Sequence, residues 1–232
     1  MQINPTKPLP TALESVSINS VKAGALASFG MAACYIIMFI IFGAILSAPI
    51  SDDVLDKIQF VQANQDLIGV TYILGYLLFG CFLLITTIAL HNFMDSKPSM
   101  LLTCGTAFGF IWVVLMMCSG MIGLIGMQTM LELHNESSQH AIGLFYSLSV
   151  IENGLGGGIE LVGGLWVLLI SLSGLRQKRL PQALHILGLV VGSFGVLTLI
   201  QGVPEFKMAF GLSQIAWFTW VGFALLGTRA TQ

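Results

Sequence analysis

A chain of 232 residues with 56% hydrophobic and 9% charged residues is no water-soluble domain, where about 25% charged is usual. Its formal net charge of −2 gives nucleic acid no electrostatic reason to bind, so no nucleic-acid partner is expected. Most of the length falls into apolar runs, which leaves no room for a soluble catalytic domain beside a membrane one.

Residues 1–22, with Pro5, Pro8 and Pro10, read as a loose cytoplasmic tail. Six apolar runs follow, over 23–49, 67–90, 101–126, 143–174, 183–203 and 208–228, and 229–232 form a cytoplasmic end. A spanning helix needs about 20 mostly apolar residues, because the hydrocarbon core is about 30 Å thick and each residue rises about 1.5 Å. The expected fold is therefore all-α: a polytopic integral membrane protein, a bundle of six transmembrane helices in the bacterial cytoplasmic (inner) membrane, its principal partner the lipid bilayer. The first run exceeds the 7–15 apolar residues of a signal peptide and reads as an uncleaved helix.

Orientation follows from the basic residues. With both termini inside, Lys7, Lys22, Lys97, Arg176, Lys178, Arg179 and Arg229 are cytoplasmic, seven of the nine, against Lys57 and Lys207 outside. Positive charge resists translocation, so an N-in/C-in topology is predicted. Between the first two runs, Val54, Leu55, Ile58 and Val61 match a short amphipathic helix at the outer surface.

The fourth run is the exception. It carries Glu152 and Glu160 within apolar sequence, together with Asn153 and the glycines Gly154, Gly156, Gly157, Gly158, Gly163 and Gly164. On a continuous helix Glu152, Gly156, Glu160 and Gly164, spaced by four, share a face that looks into the bundle. Acids inside a membrane are costly and tend to mark function. No Lys or Arg lies within a run to neutralise Glu160, and depth arithmetic at about 1.5 Å per residue places Tyr72 and Gln214 at its level. Glu160 is thus expected either to hold a proton and hydrogen-bond to Tyr72 or Gln214, or to be ionised beside a cation or water.

Two readings of this segment stay open. In one, the glycines let helices approach closely and Glu160 is an interhelical hydrogen-bonder. In the other, Gly154–Gly158 breaks the helix, and freed backbone and acids form a binding site of transporter type. The corresponding functions are a non-enzymatic protein that binds or passes a small solute or cation at Glu160, or a structural or regulatory subunit whose glycine faces pack against a second copy or another membrane protein.

Weaker signals point to packing. Cys34, Cys81, Cys104 and Cys118 lie within apolar runs and read as small hydrophobes. Met100, Met116, Met117, Met121, Met127 and Met130 read as gap-fillers, and Trp112, Trp166, Trp217 and Trp220 as packing residues. His134 and His140 with Glu132 and Glu136 offer a metal site only if the outer loop gathers them. No catalytic motif, P-loop or dinucleotide fingerprint is present, so neither a catalytic residue nor a cofactor is expected.

The stretch from Glu160 through the basic turn Arg176-Gln177-Lys178-Arg179-Leu180-Pro181 to Gly188 is similar to the bacterial six-helix family catalogued as domain of unknown function 4386. The likeness covers mainly residues 160–200. It implies six helices and brings no activity or site residue.

Overall fold

A computed structural model describes residues 12–47, 49–95 and 99–227, with side chains from Asn19 onward. Among the described residues the chain is helical throughout, without strands. The helices are α1 (Ala12–Ile40), α2 (Val54–Ala63), α3 (Gln65–Tyr72), α4 (Phe79–Met94), α5 (Met100–Glu136), α6 (Ser138–Glu152), α7 (Leu161–Gln177), α8 (Gln182–Leu197) and α9 (Pro204–Gly227). Three π-helical segments, at Ile41–Ile45, Ile73–Leu78 and Asn153–Gly157, extend α1, join α3 to α4 and extend α6.

Five helical stretches are long and apolar enough to cross a membrane: Asn19–Ile45, Gln65–Met94, Met100–Glu136, Ser138–Gln177 and Pro204–Gly227. The outward side chains agree with that. Leu26, Val114, Ile125 and Phe223 are each more than half exposed, and so continuous an apolar exterior belongs in lipid rather than water. The protein is a helical membrane protein.

Six helices pack as a closed ring in the order α1, α4, α5, α7, α8, α9 and back to α1. Aromatic residues fill its centre. Trp112 and Trp166 have centroids 5.6 Å apart, Trp166 and Trp217 5.4 Å apart, and Phe79 and Phe218 close the cluster at 6.0 Å. The three tryptophans expected to pack are buried, whereas Trp220 is 37% exposed and faces outward. Cys34 is buried and Cys81 exposed, so only part of the thiol expectation holds.

Local signals explain most helix ends. Asp53 caps α2 by accepting from the Leu55 N–H at 2.9 Å, and Ser99 caps α5 through the Leu102 N–H; such caps satisfy otherwise unpaired amides. The short helix expected around residues 54–61 is α2, with Val54 and Ile58 buried. The α7–α8 turn is latched to α4. Arg179 donates to the Phe93 carbonyl at 2.5 Å and stacks 5.4 Å from the Phe93 ring.

Several predicted boundaries move. The first helix begins at Ala12 and not at 23, so residues 12–22 are not loose tail. The third continues ten residues past 126 to Glu136, because its polar end is supported by α6 packed alongside. The fifth stops at Leu197 rather than 203; Gly202, with φ 90°, and Pro204 reset the chain for α9. At 16 residues, α8 is shorter than the other candidate spans. Lys7, Lys97 and Arg229 lie outside the described residues, as do residues 1–11 of the tail and the end 229–232.

Candidate functional site

The glycine cluster of the fourth run breaks the helix. After Glu152 the chain passes through the π-segment Asn153–Gly157, in which Gly156 has φ 126°, and α7 restarts at Leu161. That φ belongs to a region L-residues with a Cβ rarely adopt. Four spacing-related residues, Glu152, Gly156, Glu160 and Gly164, therefore do not form one face, since the helix on which they would align is interrupted between them. A Cβ at Gly156 would meet nothing within 4 Å, so substitution there is opposed by backbone strain alone. Gly156→Ala is expected to destabilise by about 1–3 kcal/mol, read as a lowered thermal midpoint of the purified protein in detergent.

Each predicted site residue now has a place. The Asn153 carbonyl accepts from the amides of Gly158 and Ile159, and its side chain donates back to the Ser149 carbonyl at 2.7 Å. Asn153 is exposed and closes the broken helix end; it is not a ligand-binding group. Gly158 sits where a Cβ would strike the Asn153 side-chain oxygen at 2.6 Å, and Gly157 where one would strike the Glu152 carbonyl at 2.9 Å. Gly154 meets nothing within 4 Å. Gly163 receives the Trp112 ring, and Gly164 the backbone of α8.

The two acids part company. Tyr72 donates a 2.8 Å hydrogen bond to Glu152 and not to Glu160. Its ring occupies a slot made by Gly123 of α5 and leans on Tyr76 at 5.7 Å. Replacing Tyr72 with Phe keeps the ring and removes the bond, and should cost about 0.6–2 kcal/mol of thermal stability, the range for interhelical hydrogen bonds in membranes. Gln214 is also absent from Glu160's surroundings: it is fully buried in α9, with both side-chain polar atoms unpartnered. The rise-based depths failed because they assumed unbroken helices.

Glu160 instead lines a cavity of about 250 Å³ with Tyr35 and Met38 of α1, Tyr76, Phe79, Trp112 and Lys207 among its walls. An adjoining groove of about 430 Å³ between α1 and α9 shares Tyr35, Glu160 and Lys207 and widens the way in. The main chain of Glu160 is firmly held. Its N–H donates to Thr198 Oγ1 at 2.8 Å, Thr198 donates to the Gly195 carbonyl, and the Glu160 carbonyl accepts from the Gly164 N–H. The carboxylate itself makes no hydrogen bond to a described side chain. Tyr35 and Tyr76 lie within electrostatic range of it, and so does Lys207.

Lys207 corrects the expectation that no basic residue reaches this acid. It belongs to the first turns of α9, is exposed, and stands at the mouth of the cavity. Sequence spacing could not reveal this, because α9 meets the break only through the closure of the ring.

A further feature went unseen in the sequence. Phe42, Gly75 with Tyr76, and Gly156 with Gly157 come from the three different π-segments, and all five residues line the one cavity. π-turns cost regular hydrogen bonding and recur at functional sites. Only the third is announced by its glycines; the other two lie within ordinary Ile- and Leu-rich sequence.

The remaining candidates do not assemble. Among the described residues no three of His, Cys, Asp and Glu come together as a metal site, so His134, His140, Glu132 and Glu136 stay apart. Glu132 instead accepts from Gln128 at 3.2 Å. Met116 lines the cavity, Met117 packs on Gly80, and Met121 is half exposed.

Fold and cavity together define a helical membrane protein with a carboxylate-bearing cavity at a helix break. Comparison with models of protein families, with curated proteins and with solved structures finds no match.

Proposed function

We propose that this is a non-enzymatic membrane protein that binds a small, positively charged solute at Glu160 and passes it across the bilayer. The observation that carries the reading is the convergence of three π-segments on one cavity whose single carboxylate has no hydrogen-bond partner of its own. A carboxylate among Tyr35, Tyr76, Phe79 and Trp112 suits an organic cation. Charge pairing anchors the ammonium group, and the ring faces attract it by cation–π interaction. The cavity volume of about 250 Å³ sits below the range for drug-sized ligands, which restricts the solute to a small one.

The topology we propose is six crossings, with α8 the shortest and both termini cytoplasmic, in the bacterial inner membrane. The ring arrangement supports it, because α8 closes the circle between α7 and α9. The likeness to the six-helix family rests on residues 160–200 and adds no activity. The alternative, docking onto another membrane protein through glycine faces, is less favoured. Gly105, Gly109, Gly188 and Gly192 each face side chains or backbone of this same chain, so those faces are already used.

The test is a panel of small amines, quaternary ammonium ions and carboxylates offered to the purified protein, read by calorimetry. Ammonium compounds should bind and isosteric carboxylates should not. Binding of carboxylates alone would overturn the reading.

A further inference from the structure

Away from the cavity, the centre of the ring holds a series of polar atoms that the protein leaves unsatisfied. Thr87 Oγ1, Trp166 Nε1, Ser171 Oγ, Trp217 Nε1, both side-chain atoms of Gln214, and Nε2 of His185 are buried without a hydrogen-bond partner among the described residues. They come from α4, α7, α8 and α9. Each such atom left dry costs about 1–3 kcal/mol, and seven together are too many for a marginally stable fold.

Their placement is ordered. Thr87 Oγ1 and Trp166 Nε1 both lie within 2.8 Å of the point a Cβ on Gly109 would take. Ser171 Oγ and Trp217 Nε1 both lie within 2.7 Å of the corresponding point at Gly188. Each pair thus faces a gap that a glycine keeps free of side chain, with two polar groups ready to hold one molecule of water. Buried waters need two to four such partners. Gln214 is one turn from Trp217 on α9, and the Trp166 and Trp217 rings meet at 5.4 Å.

The series has an opening at each end. At one, Trp112 touches Trp166 and also walls the Glu160 cavity. At the other, the His185 ring lies over Gly174 and lines a cavity of about 380 Å³ with Lys178 and Gln182. Glu160 and Gly174 are separated by the length of α7, about 21 Å at 1.5 Å per residue.

We propose that these atoms hold a file of internal waters that carries protons between the Glu160 cavity and the His185 cavity. A proton taken up by the Glu160 carboxylate passes along the waters and the hydroxyls of Thr87 and Ser171, which both accept and donate. It is received at His185 Nε2 and released into the second cavity; the reverse direction uses the same groups. Trp166, Trp217 and Gln214 hold the waters in place without exchanging protons. Around Glu160 stand Tyr35 from α1, Tyr76 from the segment before α4 and Lys207 from α9, while α5 contributes only apolar side chains. Around His185 the charged neighbour is Lys178. The proposal uses the Glu160 cavity but not the identity of any solute bound there.

The experiment places the full chain in phosphatidylethanolamine–phosphatidylglycerol vesicles containing a pH-sensitive dye and drives protons inward with a valinomycin-set potassium potential. Wild type should acidify the lumen several-fold faster than protein-free vesicles, without added solute. Gln214→Leu and Glu160→Gln should each return the rate to the vesicle background. Wild-type flux equal to background, or flux unchanged by both substitutions, overturns the proposal. If Gln214→Leu does not fold, Ser171→Ala replaces it. Radiolytic hydroxyl labelling of wild type reads the waters directly: modification at Trp166 and Trp217 is expected, and its absence from both overturns the water file even if amines bind at Glu160.

Discussion

Glu160→Gln should abolish binding of small ammonium compounds while leaving the protein folded and nearly as heat-stable as wild type. The substitution preserves shape and removes charge. Because the carboxylate makes no hydrogen bond to a described side chain, its loss leaves no internal donor stranded, and the main-chain bonds to Thr198 and Gly164 are untouched. Removing one partner of a desolvated charge pair costs about 2 kcal/mol or more, which is a loss of about 30-fold in affinity. Calorimetry measures the affinity and a melting curve measures the fold. An unchanged affinity would remove Glu160 from the binding site and with it the proposed function. A collapse in melting temperature together with lost binding would instead make Glu160 a structural acid.

The largest effect on stability is expected at Gly164. A Cβ there would lie 2.8 Å from both the Gly192 carbonyl oxygen and the Val196 amide nitrogen, and Gly195 approaches the Gly164 Cα from the other side at 2.6 Å from its own would-be Cβ. These neighbours are backbone and cannot rotate away as a side chain can. Gly164→Val therefore has to push α7 and α8 apart, and overpacking of this kind typically costs about 1–3 kcal/mol, occasionally more. The displacement also pulls on Glu160, whose N–H is held by Thr198 at the end of α8, so binding should weaken alongside stability. Gly143 is the control. It is exposed within α6 with nothing near its would-be Cβ, and Gly143→Ala should be neutral or stabilising by up to about 1 kcal/mol through helix propensity. Equal melting temperatures for the two variants would show that the α7–α8 contact is looser than described.

The two substitutions probe different parts of one construction. Close approach of α7 to α8 through Gly164, Gly192 and Gly195 sets where the broken helix restarts. The restart point sets where the Glu160 side chain leaves the backbone. A change at the contact should therefore be felt at the acid, whereas a change at the acid should not be felt at the contact.

Composition alone determined that the chain is a helical membrane protein, because helices satisfy their own backbone in lipid and 56% hydrophobic residues have no other stable home. The sequence also marked Glu152 and Glu160 as costly and Gly154–Gly158 as a weak stretch of helix, since charge and missing side chains are local properties. Which of two readings held for that stretch was a tertiary matter: the break at Gly156 is held by Asn153 on one side and Thr198 on the other, 45 residues apart in number. Partner choice was equally out of reach. Tyr72 found Glu152 and Lys207 found the Glu160 cavity because depth counted along ideal helices is wrong wherever a π-turn adds a residue or a helix stops. The π-segments at Ile41–Ile45 and Ile73–Leu78 carry no mark in the sequence, being built of residues that are at home in any membrane helix. Only the closing of the ring brings all three to one place, and that closure is decided by packing between helices far apart along the chain.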